Sequence, residues 1–269
     1  MHLSPRFEWL GMVFDIPTMI MMVVTALVVF LLVFGFTRKM TAGVPRGAQN
    51  FIEWVIDFIR GISGNFMEPK YASKVVALGL TVFLYIFCGN QLGLILNVTT
   101  TYHGEISERF MDMLTLSGTP EAAHAKEEMI KEELASDHGM PVGWWKSPTA
   151  TPSVTFALAI AVLLYSHYLG MSKGVGKYFK HYVQPHPLML LLHLMEDFII
   201  KPLTLPLRLF GNIFAGEVLI SVLLGAGMVV AAAPLVVWLG YSVFVGSIQA
   251  YIFTTLTMVY ISQKVNEDH

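Results

Sequence analysis

Long stretches of apolar residues without charge are the feature that most restricts the fold of this chain. Residues 17–36 and 75–98 contain no charged side chain, and residues 151–171 form a third such stretch. The chain then stays largely apolar from 187 to 263. About 20 mostly apolar residues are enough for a helix to cross the hydrocarbon core of a bilayer. The sequence therefore predicts an integral membrane protein.

Charged residues are too scarce for a water-soluble protein of this length. Only 13% of the 269 residues are Asp, Glu, Lys or Arg, whereas soluble domains contain about 25%. The net charge of −2 argues against nucleic acid as a partner, and the single cysteine, Cys88, excludes a disulfide framework or a thiolate metal site. Because the sequence lacks the alternation of a membrane β-barrel, we expect an all-α protein with five to six membrane-embedded helices surrounded by lipid.

We expect a single membrane domain that covers residues 1–269. Its predicted segments are an external N-terminus (1–16), a first span (17–36), a cytoplasmic segment (37–74) with an amphipathic helix (46–63), a second span (75–98), an acidic external loop (99–150), a third span (151–171), a basic cytoplasmic loop (172–186) and further membrane-embedded helices (187–263).

The distribution of lysine and arginine predicts the orientation of the chain. Segments 37–74 and 172–186 are rich in basic residues, whereas 99–150 contains four basic residues against nine acidic ones. Because basic loops stay in the cytoplasm, the N-terminus is expected outside and the C-terminus inside. The first span lacks the cleavage site of a signal peptide, and no transit segment precedes it, which favours the plasma membrane of a bacterium.

Two segments outside the spans carry helix signals. In 46–63, Phe51, Trp54, Val55 and Phe58 fall on one side of a helix, which is expected either to lie on the cytoplasmic leaflet or to pack against neighbouring spans. A second helix is predicted in the acidic loop. Thr119 can cap it, Pro120 suits its first position, and Glu127 and Lys131 can form an i,i+4 ion pair. Histidines of that loop lack regular spacing, which favours solvated side chains over a metal site: His103, His124 and His138.

Five charged residues stand out inside the last apolar stretch: Glu196, Asp197, Lys201, Arg208 and Glu217. An arginine at bilayer depth costs at least about 2.5–3.5 kcal/mol on insertion scales, and it cannot deprotonate. The only charge between Arg208 and Lys264 is Glu217, so Arg208 cannot easily reach the surface. We infer that function requires this fixed positive charge, whereas structural anchoring at an interface stays open for Lys201 and the Glu196–Asp197 pair.

Helical geometry predicts the surroundings of Arg208. Gly211, Asn212 and Ala215 lie on its side of a helix, and the small residues leave room for a partner helix to pass close. Glu217, nine positions on, comes out on the opposite side and is expected to face the protein interior.

A polar track is expected if the chain folds back between Gly225 and Pro234. Gln249 then comes within about two turns of the level of Arg208. Together with Ser242, Asn212 and Glu217 it would form a thin polar path inside an apolar body. Polar residues also hold membrane helices together by hydrogen bonds, and for Ser242 this alternative stays open, but the fixed charge favours ion conduction for the set.

Several motifs resemble the subunit a family of F-type ATP synthases. The most specific is Leu207-Arg-Leu-Phe-Gly-Asn-Ile-Phe-Ala-Gly-Glu217, which resembles the arginine motif of that family. Gln249-Ala-Tyr-Ile-Phe-Thr-Thr-Leu-Thr is similar to its last helix, Cys88-Gly-Asn-Gln-Leu-Gly-Leu to its second span, and Ala48-Gln-Asn-Phe-Ile-Glu-Trp-Val to its cytoplasmic helix. The resemblance extends from about residue 8 to 263.

The resemblance implies a stator that conducts protons and has no catalytic residue, cofactor or metal of its own. It implies two offset half-channels beside the last two helices, which would form a long, strongly tilted hairpin against a rotor ring. Its partners would be the c-subunit ring, the subunit b peripheral stalk and the remaining ATP synthase subunits. Proton translocation would rest on Arg208, Asn212, Glu217, Gln249, Ser242 and Glu196, with Gly211 and Ala215 facing the rotor. Ser242 stands where some members carry a histidine, so water is the expected proton carrier at that point.

Two other functions are compatible with parts of the sequence. A stand-alone ion-coupled transporter or channel would use Arg208 as a substrate counter-ion, but it predicts inverted repeats, and the two halves show no convincing similarity. A membrane enzyme would use His193, Glu196 and Asp197 as metal ligands, but no second ligand cluster of matching spacing exists in the sequence. Whether the coupling ion is H⁺ or Na⁺ stays open.

Overall fold

The computed structural model describes residues 3–95, 98–117, 119–136, 139–183, 186, 189–225 and 228–265. Helices dominate this part of the chain. Five stretches within it are long and apolar enough to cross a membrane: Ile16–Thr37, Pro69–Ile95, Pro152–Ser172, Met189–Ile220 and Ala231–Val265. The predicted all-helical membrane architecture is confirmed.

The helices and strands are numbered in chain order. The helices are α1 (Ile16–Thr37), α2 (Ala48–Phe66), α3 (Pro69–Ile95), α4 (Glu108–Thr115), α5 (Pro120–Ala135), α6 (Pro152–Ser172), α7 (Val175–Val183), α8 (Met189–Met195), α9 (Lys201–Gly225) and α10 (Met228–Val265). A 3₁₀ turn, Pro148–Ala150, precedes α6, and a single π-helical turn, Glu196–Ile200, joins α8 to α9. The strands are β1 (Arg6–Trp9), β2 (Met12–Asp15), β3 (Thr99–Tyr102) and β4 (Met140–Gly143).

Apolar side chains of four helices form the centre of the bundle. α3, α6, α9 and α10 contribute Ile86, Ala159, Leu209 and Phe253, all almost fully buried. Burial of this kind stabilises the packing of each helix against the next, since small and branched residues interdigitate closely. The second half of the chain is therefore joined to α3 mainly through α10.

The amphipathic helix α2 packs against the spans. Its apolar side chains Ile59 and Ile62 are buried against α3 and α10, where they join a cluster with Met258 and Ile261. Gly79 permits the close approach of α3 and α10 at this cluster, because a Cβ at position 79 would lie 2.3 Å from the Met258 side chain. Of the two interpretations of this helix, packing against neighbouring spans is the one the structure supports. Two of its aromatic rings nevertheless remain largely exposed: Phe51 and Trp54.

A small folded layer covers one end of the bundle. β1 and β2 form an antiparallel hairpin, whereas β3 and β4 pair antiparallel although α4 and α5 lie between them in sequence; the sequence predicts only helices. The layer has its own core of Leu3, Leu114, Ile130, Met140 and Val142. The predicted helix in the acidic loop is confirmed as α5. The hydroxyl of Thr119 caps it by accepting the Ala122 N–H, and the ion pair between Lys131 and Glu127 measures 2.6 Å. His138 lies outside the described residues.

The opposite end of the bundle gathers α2, α7 and the C-terminal end of α10. Lys264 Nζ contacts the carboxylate of Asp197 and donates to the Tyr182 hydroxyl at 2.9 Å. α9 ends at Gly225 and α10 begins at Met228, so the chain reverses within the predicted interval. Pro206 and Pro234 lie inside these two helices without ending them, as membrane helices tolerate.

Candidate functional site

Arg208 lies on α9 with its side chain exposed at the surface of the chain. Within the described residues its guanidinium has neither an acidic group within 4.0 Å nor a hydrogen-bond acceptor. On the other side of the helix, Leu205 and Leu209 are buried in the bundle core. An arginine in an apolar span is therefore presented outward, away from the acids of its own chain.

The surface around Arg208 is open. Asn212 and Ala215 follow it on the same side of α9 and are exposed. A Cβ built on Gly211 would meet no atom within 4 Å. The four positions predicted to share one side of the helix therefore form a shallow surface that a partner helix can approach closely. Asn212 belongs to this open side and not to an enclosed track.

Gln249 joins α10 to α9 at the level of Arg208. Its side chain is only 3% exposed, and its amide Nε2 donates to the backbone carbonyl of Arg208 at 3.2 Å. The predicted position of Gln249 relative to Arg208 is confirmed by this bond. Because a buried amide inside a membrane protein needs a partner, the bond fixes the register of the two long helices.

Glu217 is placed on a different side of α9 from Arg208. Its Oε1 accepts the backbone N–H of Ser147 at 3.4 Å. Ser147 directly precedes the 3₁₀ turn Pro148–Ala150, which packs against α9 and α3. The carboxylate of Glu217 therefore faces the segment that links the folded layer to α6, where this segment packs between α9 and α3.

A chain of polar groups continues inward from Ser147. Its hydroxyl donates to the Gly89 carbonyl at 3.2 Å or to Thr149 Oγ1 at 2.7 Å. Thr149 in turn donates to Asn90 Oδ1 at 2.5 Å, and Asn90 Nδ2 donates to the Gly246 carbonyl at 2.9 Å. The path therefore runs from the Glu217 carboxylate to the contact between α3 and α10, through groups that are all buried.

The intermediate residues of this path, Ser147, Thr149 and Asn90, are absent from the functional residues that the sequence predicts. Asn90 and its neighbour Gln91 carry a usable signal, since an amide in the middle of an apolar span is costly unless it is bonded. Ser147 and Thr149 carry none, because hydroxyl residues near the end of a polar loop are ordinary. Only the folding of that loop into the bundle places them beside Glu217.

Close approach of the Ser147 backbone depends on a glycine of α3. A Cβ on Gly93 would lie 2.5 Å from the Ser147 Cβ and 2.7 Å from its Cα and N. Since two of these atoms belong to the main chain, a side chain at position 93 cannot be accommodated by a rotamer change. The absence of a side chain at Gly93 thus permits residues 146–150 to pack closely against α3.

An ion pair connects residues 146–150 to Asp15, the residue that precedes α1. Lys146 Nζ lies 3.0 Å from the Asp15 carboxylate, which also accepts the Ser4 hydroxyl at 2.5 Å and the Thr18 N–H at 2.9 Å. Burial alone would raise the pKa of Asp15, but the charge of Lys146 and these hydrogen bonds outweigh it and lower the pKa below its ordinary value. The carboxylate therefore remains ionised in the folded chain.

Ser242 lies close to the residue that precedes Glu217. A Cβ on Gly216 would be 4.0 Å from Ser242 Oγ, and the indole of Trp238 donates to the Gly216 carbonyl at 3.4 Å. Ser242 is buried, and its hydroxyl has no hydrogen-bond partner among the described residues. A buried hydroxyl left open beside Gly216, one residue before Glu217, is a position where a water molecule can bind.

The remaining predicted charges form a buried cluster at the other end of α9. Asp197 accepts hydrogen bonds from Lys201 at 2.6 Å, from Lys264 and from the Tyr182 hydroxyl. Glu196 Oε1 lies 3.0 Å from Lys201 Nζ and keeps part of its surface exposed. Between the two interpretations of these charges, the contacts of Asp197 and Lys201 support structural anchoring.

Tyr182 completes this cluster from α7. Burial raises the pKa of its phenol, and the hydrogen bond to the Asp197 carboxylate raises that pKa further. Its hydroxyl therefore stays protonated and acts as a donor. Nothing in the sequence predicts this contact, since Tyr182, Asp197 and Lys264 belong to three separate segments.

The described residues contain no group of three His, Cys, Asp or Glu side chains that could hold a metal ion. His193, one of the residues considered for that role, contacts the backbone carbonyl of Tyr182 through Nδ1 at 3.1 Å.

Comparison with known proteins gives consistent results. A protein-family model described as ATP synthase A chain matches residues 19–262. The chain is 40% identical over 275 residues to ATP synthase subunit a of Priestia megaterium, covering 100% of this chain and 99% of that protein. It is 37% identical over 283 residues to ATP synthase subunit a of Bacillus subtilis, with the same coverage. For ATP synthase subunit a of Staphylococcus aureus strain Newman the identity is 37% over 280 residues, again covering 100% and 99%.

Proposed function

The chain belongs to the ATP synthase A chain family, and from this premise we propose that it is the stationary subunit that couples ion flow to rotation of a c-subunit ring. It is a multi-pass membrane protein of the F0 sector that assembles with the rest of an ATP synthase. ATP is made on other subunits, so this chain itself is not catalytic.

The observation that carries the proposal is the unpaired guanidinium of Arg208 on an open surface of small residues. Such a charge can act as counter-ion to a carboxylate on a passing rotor helix. Two unit charges about 4 Å apart attract by roughly 4 kcal/mol at an effective dielectric constant of 20. This attraction favours the ionised carboxylate and is weak enough for rotation to break.

Protonation of the rotor carboxylate permits it to enter lipid. A neutral carboxyl avoids the penalty of several kcal/mol that an ionised one meets in an apolar environment. The driving force is about 2.3 kcal/mol per proton for each 100 mV of membrane potential. Arg208 has a second task in this scheme, since its charge repels a proton that would pass directly between the half-channels.

The entry half-channel is assigned to the side of Glu217. Its bond to Ser147, the buried hydroxyl of Ser242 and the polar chain through Thr149 and Asn90 support a route from the end layer toward α9. Asn212 on the rotor-facing surface and the buried Gln249 beside the Arg208 main chain would form its inner end. Water bound beside Ser242 is the proposed carrier in place of an imidazole.

The exit half-channel is assigned to the opposite end of α9. Glu196 is partly exposed there, next to the anchored Asp197–Lys201 pair. Its carboxylate is the group proposed to accept the proton released near Arg208. Gly211 and Ala215 would face the c ring, and a peripheral stalk subunit b would hold the chain stationary.

The distribution of basic residues supports one orientation in a bacterial plasma membrane. The N-terminal residues and the acidic segment would be outside the cell, and α2, α7 and the C-terminal end of α10 would be in the cytoplasm. In this orientation protons enter through the folded end layer.

Substitution of Arg208 tests the proposal. Complexes carrying Arg208→Ala, reconstituted in liposomes, are expected to lose ATP-driven pumping while the membrane sector becomes leaky to protons under an imposed potential. Arg208→Lys keeps a charge but has a shorter reach and loses the planar, permanently charged guanidinium, so coupled synthesis should fall at least about 10-fold.

Arg38→Ala is the matched control, since Arg38 caps the end of α1 at the surface. It should pump like the unmodified complex. Normal ATP-driven pumping with Arg208→Ala would refute the role of the arginine, and solute transport by this chain alone in liposomes would favour a stand-alone transporter.

A further inference from the structure

The β1–β2 hairpin has two chemically different faces. Residues paired across an antiparallel hairpin lie on the same face, and the faces alternate along each strand. Phe7 pairs with Phe14 and Trp9 with Met12, which makes one face entirely apolar. The other face carries the charged members of the hairpin and one valine: Arg6, Glu8, Val13 and Asp15.

The charged face is the one bound to the rest of the chain. Asp15 contacts Lys146 at 3.0 Å and Ser4 at 2.5 Å, and Arg6 lies 3.7 Å from the same carboxylate. The apolar face is left exposed: Trp9 is 62% and Met12 is 54% exposed. Its rings contact one another, with Phe7 and Phe14 stacked at 5.4 Å between centroids.

The tip of the hairpin is apolar at a position where this is unfavourable in water. Leu10 and Gly11 both have positive φ, 53° and 75°, and Leu10 is 76% exposed. Tight hairpin turns of this kind prefer Gly, which has no Cβ, or Asn and Asp, whose short side chains tolerate the left-handed conformation. A leucine there strains the backbone and stays largely exposed within the described chain.

The base of the hairpin is fixed at the membrane surface by its connection to α1. Asp15 caps α1 through the Thr18 N–H, so Phe14 is two residues from the first residue of the span. Two extended residues reach roughly 7 Å. The headgroup layer on each side of a bilayer is about 5–7 Å thick, so Phe14 and its partner Phe7 lie within that layer or at its outer edge. Tryptophan is enriched at this depth.

We infer that the apolar face of this hairpin, with Phe7, Trp9, Leu10, Met12 and Phe14, rests in the headgroup layer of the leaflet in which α1 begins. The partner is phospholipid, which covers the rings and the leucine while the charged face stays bound to Lys146. The hairpin thereby fixes the depth of α1, which exposes most of its own surface. This inference rests on the membrane span and not on the direction of ion flow.

Nitroxide labels on the two faces test the inference. The whole ATP synthase is placed in phospholipid nanodiscs, with Cys88 replaced by Ser so that introduced cysteines are the only ones on this chain. Met12→Cys and, independently, Trp9→Cys report on the apolar face, and Glu8→Cys is the matched control on the charged face. All three side chains are exposed, and the signal of the Cys88→Ser complex is subtracted as background.

Collision rates with oxygen, which concentrates in lipid, and with a water-soluble nickel chelate are then compared. The oxygen-to-chelate ratio is expected to be several-fold higher at positions 9 and 12 than at position 8. Equal ratios on both faces would overturn the inference, since equally low ratios would place the hairpin in water and equally high ratios would place both faces in lipid. Protection of positions 9 and 12 from both reagents would overturn it as well, since it would identify another protein subunit as the cover.

Discussion

The side-chain amide of Gln249 donates to the backbone carbonyl of Arg208, 41 residues earlier in the chain, at 3.2 Å. The bond uses the main chain of Arg208 and leaves its guanidinium free to face outward. One residue of α10 therefore fixes the height of the charged residue on α9 without neutralising it.

Replacement of Gln249 by Leu should loosen this part of the helix pair. The Arg208 carbonyl then lacks the side-chain donor, at a cost of about 1 kcal/mol, which corresponds to a roughly fivefold faster local opening. Hydrogen–deuterium exchange of residues 249–254 in the assembled complex measures this. Thr255→Val is the matched control, because the Thr255 hydroxyl has no partner among the described residues. Equal exchange in both variants would contradict the proposed register lock.

Replacement of Glu217 by Gln should slow proton entry and leave coupling intact. Glutamine still accepts the Ser147 N–H but cannot bind and release a proton. Loss of a positioned proton-transfer group typically lowers a rate by about 10²-fold or more. Passive proton flux through the membrane sector in liposomes is the measurement, with Glu68→Gln, an exposed carboxylate between α2 and α3, as control. Unchanged flux would reduce Glu217 to a structural role.

The Asp15–Lys146 ion pair should make the seating of residues 144–150 sensitive to acid. Because the folded pKa of Asp15 is lowered, its stabilisation is fully present above its ordinary pKa near 4 and is lost as the pH falls through the lower folded value. Asp15→Asn should remove roughly 1–2 kcal/mol at neutral pH together with this acid dependence. Hydrogen exchange of residues 144–150 between pH 3 and 7, corrected for intrinsic rates, is the measurement. If Asp112→Asn, at an exposed site, produced the same loss, the pair would have no special role.

Substitution of Gly93 by Ala should displace the segment that contacts Glu217. The added Cβ would lie 2.7 Å from main-chain atoms of Ser147, and relief of such overpacking typically costs 1–3 kcal/mol. We expect faster exchange at residues 146–150 and a lower proton flux. Gly240→Ala is the control, since a Cβ there meets no atom within 4 Å. Similar behaviour of the two variants would show that close packing at Gly93 is unimportant.

The parts of the site that sequence could predict are those set by local geometry. The length of the uncharged stretches is enough to predict the spans. Counting helical turns is enough to predict that Arg208 and Glu217 lie on different sides of one helix and that Gln249 lies near the level of Arg208. These inferences use residues within one helix, or within two helices joined by a short reversal.

The contacts that sequence could not predict are made between distant segments. Ser147 reaches Glu217 from 70 residues away, and Lys264 reaches Asp197 from 67 residues away. The β1–β2 hairpin escaped prediction for another reason, because its four-residue strands are short and its apolar residues merge into the composition of the following span. Long-range pairing depends on the packed fold, which local periodicity does not encode.

The π-helical turn Glu196–Ile200 has a consequence for the helix that precedes it. Such a turn accommodates one more residue than the regular helix, so it shifts the angular phase of α9 by about 100° relative to α8. Leu205 and Leu209 hold α9 in the bundle core, whereas α8 has no buried residue, so deletion of a single residue within the turn would rotate α8 and leave Arg208 in place. The outward orientation of Arg208 is thus set by the packing of α9, and the extra residue frees α8 to face the lipid in a direction of its own.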